Sequence, residues 1–329
     1  MTRLLTALLI WLGLTLPALA ACSGQDLRAT LNADERRMLT TMVEGRPFPA
    51  GNHWRATRDG SVLHLVGTMH LDDPRFDAIM DRIDPLIDEA DAVLLEVTDR
   101  EEAQLQASLA TRPELLVLTE SSLPDLMGDD WDALAEAMRA RGLPPVMAAK
   151  MRPWYVAMLL SMPTCIDLAS AKDGGLDSRI EARAGAAEVP TRALEPFDTA
   201  FNAFAETPIE TQVSMLRAAL IPEGAADDLF ATLLASYFDE AHAESWAVTE
   251  VLAPRFGILD DAENRAIFAA MDDALLAGRN RAWIPVILDT LDQADGPVVA
   301  AFGAAHLSGP DGVLALLEAE GFTLERLAF

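Results

Sequence analysis

The chain carries the same unit near both of its ends, and that repeat limits the fold more than any other feature. Val62-Leu-His-Leu-Val66 runs into Gly67-Thr-Met-His70-Leu, followed by a polar loop, a helical stretch and a strand. Val298-Val-Ala-Ala-Phe302 runs into Gly303-Ala-Ala-His306-Leu with the same succession behind it. Strands that alternate with helices in this way predict an α/β fold with a mostly parallel or mixed central sheet, built from two related halves. In such sheets, sites lie beyond the carboxyl ends of the strands. A glycine after a strand allows a tight turn, and a histidine three residues on can then face the crevice. The two histidines are therefore expected in equivalent places.

The remaining elements fit around this frame. Leu27 to Val43 is patterned as an amphipathic helix, and Trp54 to Val66 reads as a hairpin turning at Asp59-Gly60. Phe76, Ile79, Met80, Ile83 and Ile87 recur at helical spacing over Phe76 to Glu89, where Pro85 is expected to kink or interrupt the helix. Ala92 to Leu95 is a short apolar strand ending at Glu96, and Val189 to Leu194 is another ending at Glu195. Gly175-Leu176-Asp177 opens a helix between them. From about Arg100 to Ser170, and again from Phe197 to Leu291, the pattern is helical throughout, so these insertions are read as a cap on a single domain spanning residues 21–329. A helix over Asp311 to Glu320 and a strand over Phe322 to Leu327 close the chain. Four strand ends thus carry His70, Glu96, Glu195 and His306.

The start of the chain points to export. Met-Thr-Arg, the apolar run Leu4 to Leu16 and the small-residue end at Ala18-Leu-Ala20 form a secretory signal over residues 1–20, which places the protein in the periplasm or cell envelope of a bacterium. No later stretch approaches the roughly 18 to 20 apolar residues of a membrane helix. The two cysteines leave three readings open. Cys22 follows a lipobox-like Leu19-Ala20-Ala21 and could carry a lipid anchor, it could pair with Cys165 in a disulfide, or Cys165 could be a buried free thiol. With 52 acidic against 25 basic residues and a net charge of −27, the chain lacks the cations that neutralise phosphates, so nucleic acid is excluded as a partner.

Two imidazoles and one or two carboxylates are a common ligand set for a divalent transition metal. Glu96 adds to that case, since a carboxylate ending an apolar run is costly unless paired, hydrogen-bonded or bound to metal. Arg279-Asn280 opens the last long helix at a break marked by Gly278, from where both side chains can reach the crevice. His53 in a loop, His64 inside a strand and His242 in a charged helix read as structural or solvated. The sequence has no His-Glu-x-x-His helix, Gly-x-Ser-x-Gly elbow, phosphate-binding Gly-x-x-x-x-Gly-Lys loop or Cys-x-x-Cys pair.

Gly67-Thr-Met-His70, Leu94-Leu-Glu96-Val, Gly175-Leu-Asp177, Leu194-Glu195, Arg279-Asn280 and Phe302-Gly-Ala-Ala-His306-Leu-x-Gly309, in this order and spacing, resemble the TraB/GumN family. That family is similar to the Tiki proteins, metal-dependent proteases described with manganese or cobalt, and to erythromycin-esterase-like and haem-binding ChaN-like proteins. The resemblance implies His70, Glu96 and His306 as metal or catalytic positions, Glu195 (as a further metal ligand) and Asp177 as weaker carry-overs, and Arg279 and Asn280 as polar neighbours. The reaction expected from it is hydrolysis of a peptide or small polar substrate by a water activated on a divalent ion, Mn, Co or Zn. His70 and His306 would hold the ion, Glu96 would be ligand or general base, and Arg279 with Asn280 would stabilise the oxyanion. The alternative is a protein that binds or sequesters a peptide, metal or haem without cleaving anything.

Overall fold

The computed structural model describes residues 24–163, 166, 175–222, 224–256 and 261–329. The leader, Cys22 and Cys165 lie outside the described residues, and with them the lipid-anchor and disulfide readings. Among the described residues no helix is long and apolar enough to cross a membrane.

Six strands form one mixed sheet: β1 (His53–Arg58), β2 (Ser61–Thr68), β3 (Ala92–Leu95), β4 (Thr191–Ala193), β5 (Val298–Gly303) and β6 (Thr323–Arg326), in the order β4-β3-β5-β2-β1-β6. The first four in that order run parallel, while β1 pairs antiparallel with both β2 and β6. The parallel strands are the four whose ends carry His70, Glu96, Glu195 and His306. They therefore deliver all four residues to one edge of the sheet, the carboxyl edge where α/β sheets place ligands.

Local sequence accounts for most of these elements. The β1–β2 hairpin turns on Asp59 (φ 52) and Gly60 (φ 94), the two left-handed positions that match the twist of flanking strands. β5 is buried at every position from Val298 to Phe302, as expected of a strand covered on both faces. Two helix pairs supply that cover: Phe76–Asp88 with Leu176–Ala186, and Gly278–Gln293 with Val313–Ala319. Ile79, Ile83 and Ile87 on the first helix and Trp283, Ile287 and Leu291 on the third join the sheet residues in one apolar core.

The structure differs from the sequence reading at several points. Pro85 neither breaks nor ends the Phe76–Asp88 helix: Ile83 and Ile87 on either side of the proline are buried in the core. Leu27 to Val43 divides into a short 3-10 turn, Leu27–Thr30, and a helix, Ala33–Val43, started by a reciprocal cap between Asn32 and Glu35. His53 is the first residue of β1 rather than a loop residue. The second helical insertion is shorter than its pattern suggests, since Gly278–Gln293 packs on the sheet. The cap has apolar cores of its own, one built around Leu123, Met127, Leu134, Val156 and Leu216.

Candidate functional site

The two Gly-x-x-His turns are alike in sequence and unlike in conformation. β2 and β5 lie side by side, with Gly67 opposite Phe302 and Thr68 opposite Gly303, so the turns are staggered by one residue. After Gly303 the chain winds into a 3-10 turn, Ala304–His306, that buries His306. A Cβ on Gly67 would lie 2.7 Å from Leu307 Cδ1 and 3.0 Å from Ala304 Cβ, so the first turn needs glycine to admit the second. His70 follows on a bend and its side chain is 60% exposed. One imidazole is thus fixed in the core and the other stands at the mouth of a crevice of about 220 Å3.

His306 is held from both sides. Its ring packs on Trp283 with centroids 4.3 Å apart, and its Nδ1 lies 2.6 Å from Asn280 Oδ1. Asn280 Nδ2 donates to the Asp311 carbonyl at 2.9 Å, which turns Oδ1 toward the histidine. Burial, opposed by Glu96, lowers the His306 pKa to about 4, so the ring is neutral at pH 7. A neutral ring that donates from Nδ1 keeps its lone pair on Nε2, the atom 3.9 Å from Glu96 Oε2.

Glu96 and Glu195 share one cation. Arg279 donates to Glu195 through Nε at 2.9 Å and Nη2 at 2.6 Å, to Glu96 Oε1 through Nη2, and to the Leu275 carbonyl through Nη1 at 3.1 Å. Trp283 Nε1 adds a bond to Glu195 Oε2 at 2.9 Å. Glu195 is therefore committed to Arg279 and Trp283, whereas Glu96 keeps Oε2 toward His306, with only a long 3.4 Å bond from the Gly303 amide. Burial pushes the Glu96 carboxyl up, but His306, His70 and Arg279 outweigh it and bring the pKa down to about 2.

His70 Nδ1 lies 3.2 Å from Asp177 Oδ1. Desolvation opposes its charge, but Asp177 and Glu96 prevail and raise its pKa to about 9. Asp177 reaches this position because the Leu176–Ala186 helix starts against the first turn, with Leu176 N–H bonded to the Met69 carbonyl at 2.9 Å. A Cβ at Gly175 would sit 2.7 Å from His70 Cα and 2.8 Å from its carbonyl carbon. Gly175→Ala should accordingly cost about 1–3 kcal/mol in urea unfolding. It should also weaken any ligand that needs His70; a stability change under ~0.5 kcal/mol would mean the backbone there yields freely.

The space these groups share lies over Gly303. A Cβ placed there would be 3.6 Å from His306 Cδ2, 3.8 Å from Glu96 Oε2 and 3.8 Å from His70 Nε2. The structure thus brings together His70, Glu96, His306 and Asp177, with Arg279, Asn280 and Glu195 directly behind them.

Two features of the site have no local signature in the sequence. Gly278 marks no break: the helix continues from Asp261 to Gln293 through a π-helical turn, Asp273–Ala277, whose extra residue re-aims Arg279 and Asn280 at the strand ends. Trp283, which touches both Glu195 and His306, reads in sequence as an ordinary core residue. His242 is buried rather than solvated, with Nε2 2.9 Å from the Phe48 carbonyl and Nδ1 3.2 Å from Asn52 Oδ1. Asn52 bonds in turn to the Tyr237 carbonyl, and Tyr237 Oη donates to the Gly67 carbonyl at 2.9 Å, tying the cap to the strand that ends at His70.

Residues 52–326 match the sequence model of the TraB/PrgY/gumN family. No curated protein matches the chain significantly.

Proposed function

The chain belongs to the TraB/PrgY/gumN family, and from that premise we propose that it is an exported hydrolase, acting on peptide-like substrates with a divalent metal ion. The observation that carries this reading is the convergence of His70 Nε2, Glu96 Oε2 and the His306 ring on the space over Gly303. The donor chemistry fits such an ion. His306 presents an unprotonated Nε2 because Asn280 holds the proton on Nδ1, and a carboxylate stands behind His70 on its other nitrogen; both are the supports that metal-ligating histidines use. Glu96 remains an anion with one oxygen uncommitted to Arg279. Among the described residues, no three His, Cys, Asp or Glu side chains are spaced to hold an ion as they stand. Binding would therefore draw the donors closer and release the proton from His70, coupling affinity to pH.

His70, His306 and Glu96 would hold the ion. Bound there, it would lower the pKa of a water molecule and polarise a carbonyl. The chain's own groups do the rest. Arg279 spends three of its N–H groups on Glu96 and Glu195 and a fourth on the Leu275 carbonyl, which favours a positioning role over that of an oxyanion donor. Asn280 positions His306 in the same sense. Glu195 anchors Arg279 instead of binding metal. The carboxylates of Asp99, Glu102, Asp177 and Glu181 line the crevice beside His70 and favour neutral or basic peptides over acidic ones. The leader-like first residues support a place for this site in the periplasm or cell envelope.

Incubating the purified chain with an unstructured peptide library and Mn2+, Co2+ or Zn2+ in turn tests the reading by mass spectrometry. Fragments that appear with metal and vanish with chelator are the expected result. Tight metal or peptide binding with every peptide recovered intact would replace hydrolysis with sequestration.

A further inference from the structure

We propose that Arg46, the π-helical turn and the loop that follows His306 enclose a second ligand site, for a small zwitterion of the α-amino acid class. These groups meet around a cavity of about 140 Å3 that shares no lining residue with the crevice at His70. Leu276 and Ala277 of the π-turn contribute one part of its wall and the loop from Ser308 to Gly312 another. Such turns inside α-helices recur at functional sites. Gly309 is what admits the arginine. Its φ is 100°, and a Cβ there would come 3.0 Å from Arg46 Nη2 and 3.2 Å from Nε, so the guanidinium lies close over the glycine. A cavity of about 150 Å3 takes up benzene, and alanine, with as many non-hydrogen atoms as benzene, is a ligand of the right size.

The charges around the cavity define the ligand class. The chain has 52 acidic residues against 25 basic, yet the Arg46 guanidinium makes no hydrogen bond or ion pair among the described residues. Its Nε is packed away without a partner, whereas the two terminal nitrogens are not buried and present the planar fork that grips a carboxylate. Asp272 lines the same cavity as the complementary anion. Arg281 bridges its neighbours Asp273 and Asp311 at 3.2 and 2.8 Å, but Asp272 itself has no ion-pair partner among the described residues. Burial pushes the Asp272 carboxyl up, Arg46 opposes this, and Asp311 and Asp273 add to it, so a cation carried in by a ligand would secure its charge. One unpaired cation and one unpaired anion, beyond ion-pair distance from each other on one small cavity, match a ligand that bears both charges. Its carboxylate would meet Arg46 and the Ser308 hydroxyl, its ammonium would meet Asp272, and Leu276 and Pro310 offer apolar wall to a short side chain. A plain carboxylate would be repelled by Asp272 and a plain amine by Arg46.

Calorimetric titration of the purified, metal-free chain with L-alanine tests the proposal, and saturable one-to-one binding is expected. L-Lactate, which keeps the carboxylate and replaces the ammonium with a hydroxyl, should bind at least ~10-fold more weakly, the loss of one charge-assisted pair. L-Alaninamide, which keeps the ammonium and loses the carboxylate, should do the same. Arg46→Ala and Asp272→Asn should each weaken alanine at least ~10-fold, and circular dichroism identifies which variants are folded. His70→Ala should leave alanine affinity within ~2-fold, because the histidine crevice shares no wall with this cavity. Absence of saturable alanine binding up to ~10 mM overturns the site. So does wild-type affinity in a folded Arg46→Ala or Asp272→Asn variant, or a loss in His70→Ala as large as theirs. Lactate or alaninamide binding as tightly as alanine overturns the zwitterion in favour of a site for a single charge.

Discussion

Arg279→Ala should cost about 3–5 kcal/mol of folding stability, the penalty for removing one partner of a buried charge cluster. Arg279 is 8% exposed, and three of its donated bonds end on two carboxylates, one of them in a residue only 7% exposed. Without the guanidinium, Glu195 keeps only the Trp283 indole and Glu96 keeps only the long bond from the Gly303 amide. Glu195 must then ionise without a cation or take up a proton, and Glu96 is left to the histidines alone; either course costs free energy. Arg279→Lys should recover little, because a single ammonium cannot present the planar fork that reaches Glu96 and Glu195 together. Urea unfolding of wild type, Arg279→Ala, Glu195→Gln and the double variant measures the coupling: neutralising Glu195 in the alanine background should return a substantial part of the loss. A cost below about 1 kcal/mol for Arg279→Ala would show that water reaches these carboxylates and that the cluster is no buried anchor.

What the sequence made legible here is what depends on short range. A hairpin that needs two left-handed residues shows itself as Asp59-Gly60. Strands covered on both faces show themselves as unbroken apolar runs at Val298 to Phe302 and Ala92 to Leu95, and the polar residue following each parallel strand marks the site edge. The pairing of Glu195 with Arg279, 84 positions away, is set by how the Gly278–Gln293 helix lies across the sheet, which no local pattern encodes. The same holds for that helix itself. Its periodicity announces a helix but not the surface it packs on, so it looked like cap and proved to be core. The π-turn at Asp273–Ala277 escaped because one extra residue hardly disturbs a helical pattern, while Gly278, read as a break, is carried through as helix. The repeat misled in one respect only: equal spacing from glycine to histidine placed both rings at the carboxyl edge without making their environments alike. The second turn winds into the core, with Leu307 and Ala304 filling the space over Gly67, whereas the first leaves His70 on an exposed bend.

That asymmetry gives the second large effect. His306→Ala should abolish metal binding and lower kcat/KM for any cleaved peptide by ~10^3-fold or more, since it removes the one imidazole whose free nitrogen is fixed in advance. Losing the ring also opens a void against Trp283, so about 2–3 kcal/mol of stability should go with it, a cost separable from activity by assaying well below the melting temperature. Asn280→Ala leaves the ring in place and removes the acceptor that keeps its proton on Nδ1. Its expected cost is the 10–100-fold in metal affinity typical of groups that orient a ligand. His70→Ala should match His306→Ala in metal loss with a smaller stability change, because its exposed ring packs against little. Calorimetric titration of the three variants with Mn2+ or Zn2+ resolves the order. Equal losses in Asn280→Ala and His306→Ala would mean that the asparagine meets the ligand itself. Undiminished metal affinity in His306→Ala would remove the histidine from the ligand set and leave the crevice as a site for acid–base or binding chemistry alone.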